Sequence, residues 1–173
     1  MEYEFTLKLT LPAGSHLEEV VERLGAADCT DALAGIGQAG RVALAFTREA
    51  PSARAAILGA LEQVRATLPE SRLLEITPDF VGLSDVAELV GVSRQNMRKL
   101  MLKHVATFPS AVHEGSSAVW HLLPLLKWLQ EHAGYSVPQP LLDVAHIAMQ
   151  VNLAKESKQR EPDVQREFSV LVA

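Results

Sequence analysis

The chain has 173 residues, 48% hydrophobic and 21% charged, enough for one ordinary domain or two small ones with a core that needs no covalent staple. A net charge of −5 argues against a protein that coats nucleic acid indiscriminately, the lone cysteine, Cys29, excludes an internal disulfide, and no apolar run approaches the roughly 20 residues that cross a bilayer. The start, Met1-Glu2-Tyr3-Glu4, is acidic where a secretory signal is basic, so a cytoplasmic protein with no membrane partner is expected.

Tyr3 to Leu11 alternates apolar and polar residues strictly and predicts a strand with one buried face. Pro12-Ala13-Gly14 ends it. Ser15 with Glu18 has the spacing of a capping box for a helix to about Leu24, with Leu17, Val20, Val21 and Leu24 on one side and Gly25 as its stop. Residues 30–37 read as a weak strand, Gly37-Gln38-Ala39-Gly40 as a turn, and Arg41 to Thr47 as a stronger strand, together a hairpin. Pro51 and Ser52 open a second helix to about Thr67, with Ile57, Leu58, Leu61 and Val64 apolar. Leu73 to Thr77 is a last strand, closed by Pro78. The order strand, helix, strand, strand, helix, strand over residues 1–79 is that of a ferredoxin-like βαββαβ domain within an α+β fold.

Residues 80–133 form a second domain. Ser84 is placed as an N-cap, Val86, Leu89 and Val90 as an inner face, and Ala87 as the small residue at a helix crossing. Gly91 suits a sharp turn, Val92 plugs it, Ser93 caps the next helix, and Met97 and Leu100 face inward. This is a helix-turn-helix. What stays outward on the second helix, 93–103, is Arg94, Gln95, Arg98 and Lys99, with Asn96 partly so. Arg and Lys pair with guanine acceptors, Gln and Asn with adenine, and the first turn of such a helix meets base edges. Ser93, Arg94 and Gln95 occupy that turn, Arg98 follows on the same side, and Lys99 and Lys103 are better placed for phosphates. Residues 1–79 hold 7 Lys/Arg against 12 Asp/Glu, yet Ser93 to His104 carries Arg94, Arg98, Lys99 and Lys103 and no acid. A local basic face on an acidic chain suits site-selective binding to double-stranded DNA.

Leu83 to Leu129 resembles the winged helix-turn-helix of the MerR, AlpA and excisionase group. The resemblance rests on Ser-Asp-Val-Ala-Glu-Leu-Val-Gly-Val-Ser-Arg-Gln-Asn-Met-Arg-Lys-Leu at 84–100, on Phe108-Pro109, and on Val119-Trp120-His121-Leu122 leading into Leu125-Leu126-Lys127-Trp128-Leu129. It implies a hairpin wing over Ala111 to Leu122 that touches the DNA backbone, with its tip at His113-Glu114-Gly115-Ser116-Ser117. His113, Ser116 and Ser117 would lie on phosphate, Glu114 would oppose it, and Phe108 and Trp120 would be core. The chain departs from that group by its extra N-terminal domain and by lacking a long coiled coil and a cysteine metal sensor. The resemblance therefore implies DNA binding but neither ligand sensing nor excision.

Gly134 to Pro140 reads as a linker and Leu141 to about Lys158 as one amphipathic helix, with Leu141, Val144, Ala145, Ala148, Val151 and Asn152 near one stripe. A stripe after a linker needs a surface to cover it, and residues 134–173 are read as a dimerisation helix with a polar tail, making the protein a homodimer. Phe168 to Val172 is read as a short strand or disordered. None of the six histidines, His16, His104, His113, His121, His132 and His146, has metal-ligand spacing with another ligand on one element. Cys29 reads as a small core residue, Gly35 to Gly40 as a hairpin turn rather than a phosphate loop, and Trp120 and Trp128 as core rather than stacking platforms. No catalytic, cofactor or metal site is expected. The reading is a transcriptional regulator; the alternatives are an antitoxin-type protein that neutralises a partner through its acidic N-terminal domain, and an architectural or segregation DNA-binding protein.

Overall fold

The strict alternation of the first segment becomes β1 (Glu2–Thr10), in which Tyr3, Phe5, Leu7 and Leu9 are buried while Glu2, Glu4 and Lys8 are exposed. In the computed structural model, which describes residues 1–36, 38, 40–159, 161–169 and 171, β1 is an inner strand of an antiparallel sheet. The other strands are β2 (Ala32–Ile36), β3 (Arg41–Glu49) and β4 (Arg72–Thr77), in the order β2-β3-β1-β4. Register places Leu7 opposite both Leu44 and Ile76, and Phe5 opposite Phe46 with their rings stacked at 5.2 Å. One face is thus apolar across the sheet, and α1 (Leu17–Ala26) and α2 (Ala53–Thr67) cover it.

The helix boundaries depart from expectation in two places. The N-cap of α1 is His16, because the Ser15 hydroxyl is turned back to donate to the Pro12 carbonyl. The same helix runs through Gly25, and the left-handed residue beyond it is Asp28, at φ 55°. By contrast, Ser52 caps α2 by accepting from the Ala55 N–H. The buried face of α2 is built from Ala53, Ala56, Ile57, Ala60 and Val64, whose small side chains bring it close to the sheet, so Leu58 is left 49% exposed. The turn residues Gly37 and Ala39 lie outside the described residues; Gly40 has φ +75° and leads into β3.

At the end of α1, the β-sheet and α2 are tied by one polar cluster. Arg48 of β3 donates to both Asp31 oxygens and to Gln63, and Gln63 donates to the Ala27 carbonyl. The Arg48 guanidinium holds the Asp31 carboxyl below its ordinary value, with burial opposing.

The chain then enters a second core. β5 (Phe80–Val81) pairs with β6 (Trp120–His121), and around them pack α3 (Leu83–Leu89), α4 (Arg94–Lys103) and α5 (Leu122–Ala133). Val86, Met97, Leu122, Leu125, Leu126 and Leu129 have no meaningful exposure. Among the described residues there are seven helices; the last two are α6 (Gln139–Ser157) and α7 (Pro162–Ser169). No helix among them is long and apolar enough to cross a membrane.

The apolar stripe of α6 packs within the chain: Val144 and Ala148 complete the first core and Ala145 the second. Asn152, fully buried, accepts from the Ile76 N–H and donates to the Ile76 carbonyl, both at 2.9 Å, so one carboxamide pairs with the free edge of β4 as a neighbouring strand would. Lys155 donates to the Leu74 carbonyl farther along that edge. Asn152 also donates to Asp79 at 2.8 Å, and the other Asp79 oxygen meets His121 Nδ1 at 2.8 Å. Asp79 has no exposure, and both carboxylate oxygens are paired. This chain of bonds runs from the sheet edge through α6 to the residue that precedes α5. The tail expected as polar, with a strand or disorder from Phe168, instead holds α7, whose residues are all exposed; Val170 and Val172 lie outside the described residues.

Candidate nucleic-acid interface

The cap of α3 lies two residues before the one expected. Gly82 is the N-cap, and the Asp85 carboxylate accepts from the Gly82 N–H at 2.7 Å; Ser84 lies inside the helix and is exposed. Val86 and Ala87 are buried, Val90 is half-buried, and Leu89, expected inward, is 42% exposed. Gly91 takes φ +71°, and a Cβ there would touch nothing within 4 Å, so conformation rather than space requires glycine. The next residue is held by a Val92 N–H to Ala87 carbonyl bond of 2.8 Å, with its side chain half-buried in the second core.

Ser93 caps α4, its hydroxyl accepting from the Asn96 N–H at 3.1 Å. Met97 is fully buried, and Leu100 and Met101 pack partly against the same core. These three residues fix the rotation of α4, so the opposite side is presented to solvent. Arg94, Gln95, Arg98, Lys99 and Lys103 are all exposed there. Among the described residues, none of these four basic side chains is in an ion pair. The first turn adds the positive end of the helix dipole. Asn96 is less free: its amide donates to the Tyr135 hydroxyl at 3.2 Å, tying it to the segment that follows α5. His104 closes α4 and sets its ring edge-on to Trp128 at 5.5 Å, so it is turned to the aromatic cluster rather than extending the basic face.

The expected hairpin over 111–122 is different in kind. The chain doubles back with a single bridge, His113 to Val119, made by a Val119 N–H to His113 carbonyl bond of 2.9 Å and its return. Trp120 and His121 pair instead with Phe80 and Val81, the strand that leads into α3. The reason is packing: Trp120 is 5% exposed and its indole donates to the Pro109 carbonyl at 3.0 Å, which draws that arm inward. The tip residues His113, Glu114, Ser116 and Ser117 are exposed. A Cβ on Gly115 would lie 2.7 Å from His113 Nε2, so glycine is what lets the imidazole fold over the turn. Phe108 bridges the two tryptophans at 6.4 and 5.0 Å, and Trp128 stacks on His132, so both tryptophans are buried structure.

α4 and this turn flank a cleft of about 270 Å³, lined by Met101, Leu102, Val105, Phe108, Glu114 and Trp120 among others. Leu102 was not singled out by sequence, yet it is 58% exposed on the basic side of α4. Its spacing of seven from Gln95 was the available signal. Away from this face, burial pushes the Cys29 thiol up, opposite to what an activated nucleophile needs. Among the described residues no three His, Cys, Asp or Glu side chains are grouped so as to hold a metal ion. Set beside protein-family models, curated proteins and solved structures, the chain matches none of them.

Proposed function

We propose that the protein binds double-stranded DNA sequence-specifically, as a transcriptional regulator, by laying α4 in the major groove. One observation carries this reading: α4 exposes four unpaired basic side chains and no acid, on a helix whose rotation is fixed by Met97 and whose first turn is capped by Ser93. Arg94, Gln95 and Arg98 read base edges. Lys99, Lys103 and the hydroxyls of Ser116 and Ser117 hold phosphates, with His113 beside them. Asn96 positions the first turn through Tyr135 more than it reads a base. Residues 1–79 we read as a ferredoxin-like unit, for which the element order and the sheet order β2-β3-β1-β4 speak. Residues 80–133 we read as a winged helix-turn-helix of the MerR, AlpA and excisionase type, supported by the Gly91 turn and the 113–119 reversal. A homodimer remains our proposal for palindromic sites, through a face other than the stripe of α6.

The test is selection of bound fragments from a randomised duplex library at near-physiological salt. One short motif is expected, and it should be lost on combined Arg94→Ala and Arg98→Ala substitution. Retention of no motif, with binding only at low salt, would reject sequence-specific readout.

A further inference from the structure

The exposed side of α4 is basic at its margins and uncharged at its centre, where Gln95 and Leu102 lie. Met97, Leu100 and Met101 mark the buried side. At about 100° per residue, the point opposite them falls between Gln95 and Lys99; Leu102 adjoins Gln95, and this pair lies between Arg98 and Lys99. Leu102 is 58% exposed and follows Gln95 by seven residues, two helical turns. Two turns advance about 10 Å along the axis, close to the rise of three base pairs. A leucine exposed alone on a surface is ordinary. This one occupies the middle of a face that carries Arg94, Arg98, Lys99 and Lys103 and no acid, a face whose charge complements a polyanion. A duplex offers such a leucine one apolar feature in the major groove, the C5-methyl group of thymine.

From this placement, and resting on the reading of α4 as the helix that enters the major groove, we infer that Leu102 is a specificity residue that selects thymine by packing on its methyl group. Gln95 then defines one end of the recognised step and Leu102 the other, about three base pairs away, with Arg98 between them. The polar residues supply hydrogen-bond readout, and Leu102 supplies a contact that hydrogen-bonding side chains cannot.

The experiment uses the full chain and the duplex recovered by selection, with each thymine replaced in turn by deoxyuridine, which removes only the methyl group. For the unaltered protein, replacement at one or two positions is expected to weaken binding about fourfold per methyl, the worth of one buried carbon. For Leu102→Ala, thymine and uracil duplexes are expected to bind alike at those positions, while preference at the Arg98 position persists. Equal binding of thymine and uracil duplexes by the unaltered protein overturns the inference, as does a preference that survives in Leu102→Ala. A change of oligomeric state in Leu102→Ala with the thymine preference intact assigns the leucine to a protein contact instead. In each of these cases the selected motif still stands, and with it DNA recognition. Recovery of no motif at all rejects the DNA reading itself and this inference with it.

Discussion

Arg98 and Lys103 sit on one exposed side of one helix, yet they differ in what truncation should do. Arg98 shares the side of Arg94 and Gln95 and has the planar fork that pairs with guanine. Arg98→Ala is therefore expected to weaken the selected site by roughly 1–3 kcal/mol and to relax base preference at one position. Equal loss on every sequence would reduce Arg98 to a phosphate contact. Lys103 closes the helix, at its margin. Lys103→Ala is expected to leave base preference intact and to lower the slope of log affinity against log salt by about one. Titrations at several salt concentrations separate the two outcomes. These residues were legible in sequence because basic side chains clustered without acid need no partner to be noticed. Asn96 was only half legible: its bond to Tyr135 joins positions 39 apart in the chain.

At the scale of elements, periodicity decided what was legible. β1, β3, α2 and α4 follow from alternation or from i, i+3, i+4 spacing, since both are local. Caps followed only in part: Ser52 and Ser93 cap as expected, whereas at α3 neighbouring polar residues compete, so that Asp85 satisfies the Gly82 N–H and Ser84 is left inside the helix. The 111–122 segment was legible only as a reversal of the chain, since pairing of Trp120 with Val81 spans 39 positions that no local pattern encodes. The corner between α3 and α4 allows a clean test. Gly91→Ala is expected to cost about 1 kcal/mol in chemical denaturation, the price of a left-handed alanine, because its Cβ meets no atom. A loss of several kcal/mol would show that the corner carries a constraint beyond its dihedral angle. The junction of α1, β3 and α2 titrates. The Asp31 carboxyl is held below its ordinary 3.8, so its contribution is complete above that value and is lost as pH falls through the lower folded one. Denaturation midpoints should drop as pH falls below about 4, and Asp31→Asn should flatten part of that decline. An unchanged acid limb in Asp31→Asn would remove the Arg48 pair from the account.

At the scale of the whole molecule, α6 joins what sequence divided into separate parts. Its stripe was plain; what it packs against was not, because a stripe gives the width of an apolar face and not its partner. A consequence can be measured: removing residues 139–173 takes Val144 and Ala148 from one core, Ala145 from the other, and the Asn152 carboxamide from Ile76 and Asp79. Asp79 would lose one of its two partners and both cores part of their packing, so the truncated chain is expected to lose cooperative unfolding rather than become a well-folded monomer. A sharp transition by circular dichroism in the truncated chain would count against that view. The pairing of Asn152 and Lys155 with β4 also bears on the order of synthesis. Every strand of the sheet leaves the ribosome before α6 does. During that interval the hydrogen-bonding groups of Leu74 and Ile76 lack their final partners, and two nascent chains side by side on one messenger could pair through them. The pace of translation between β4 and α6 is thus expected to influence yield, an effect that refolding of the finished protein would not reveal.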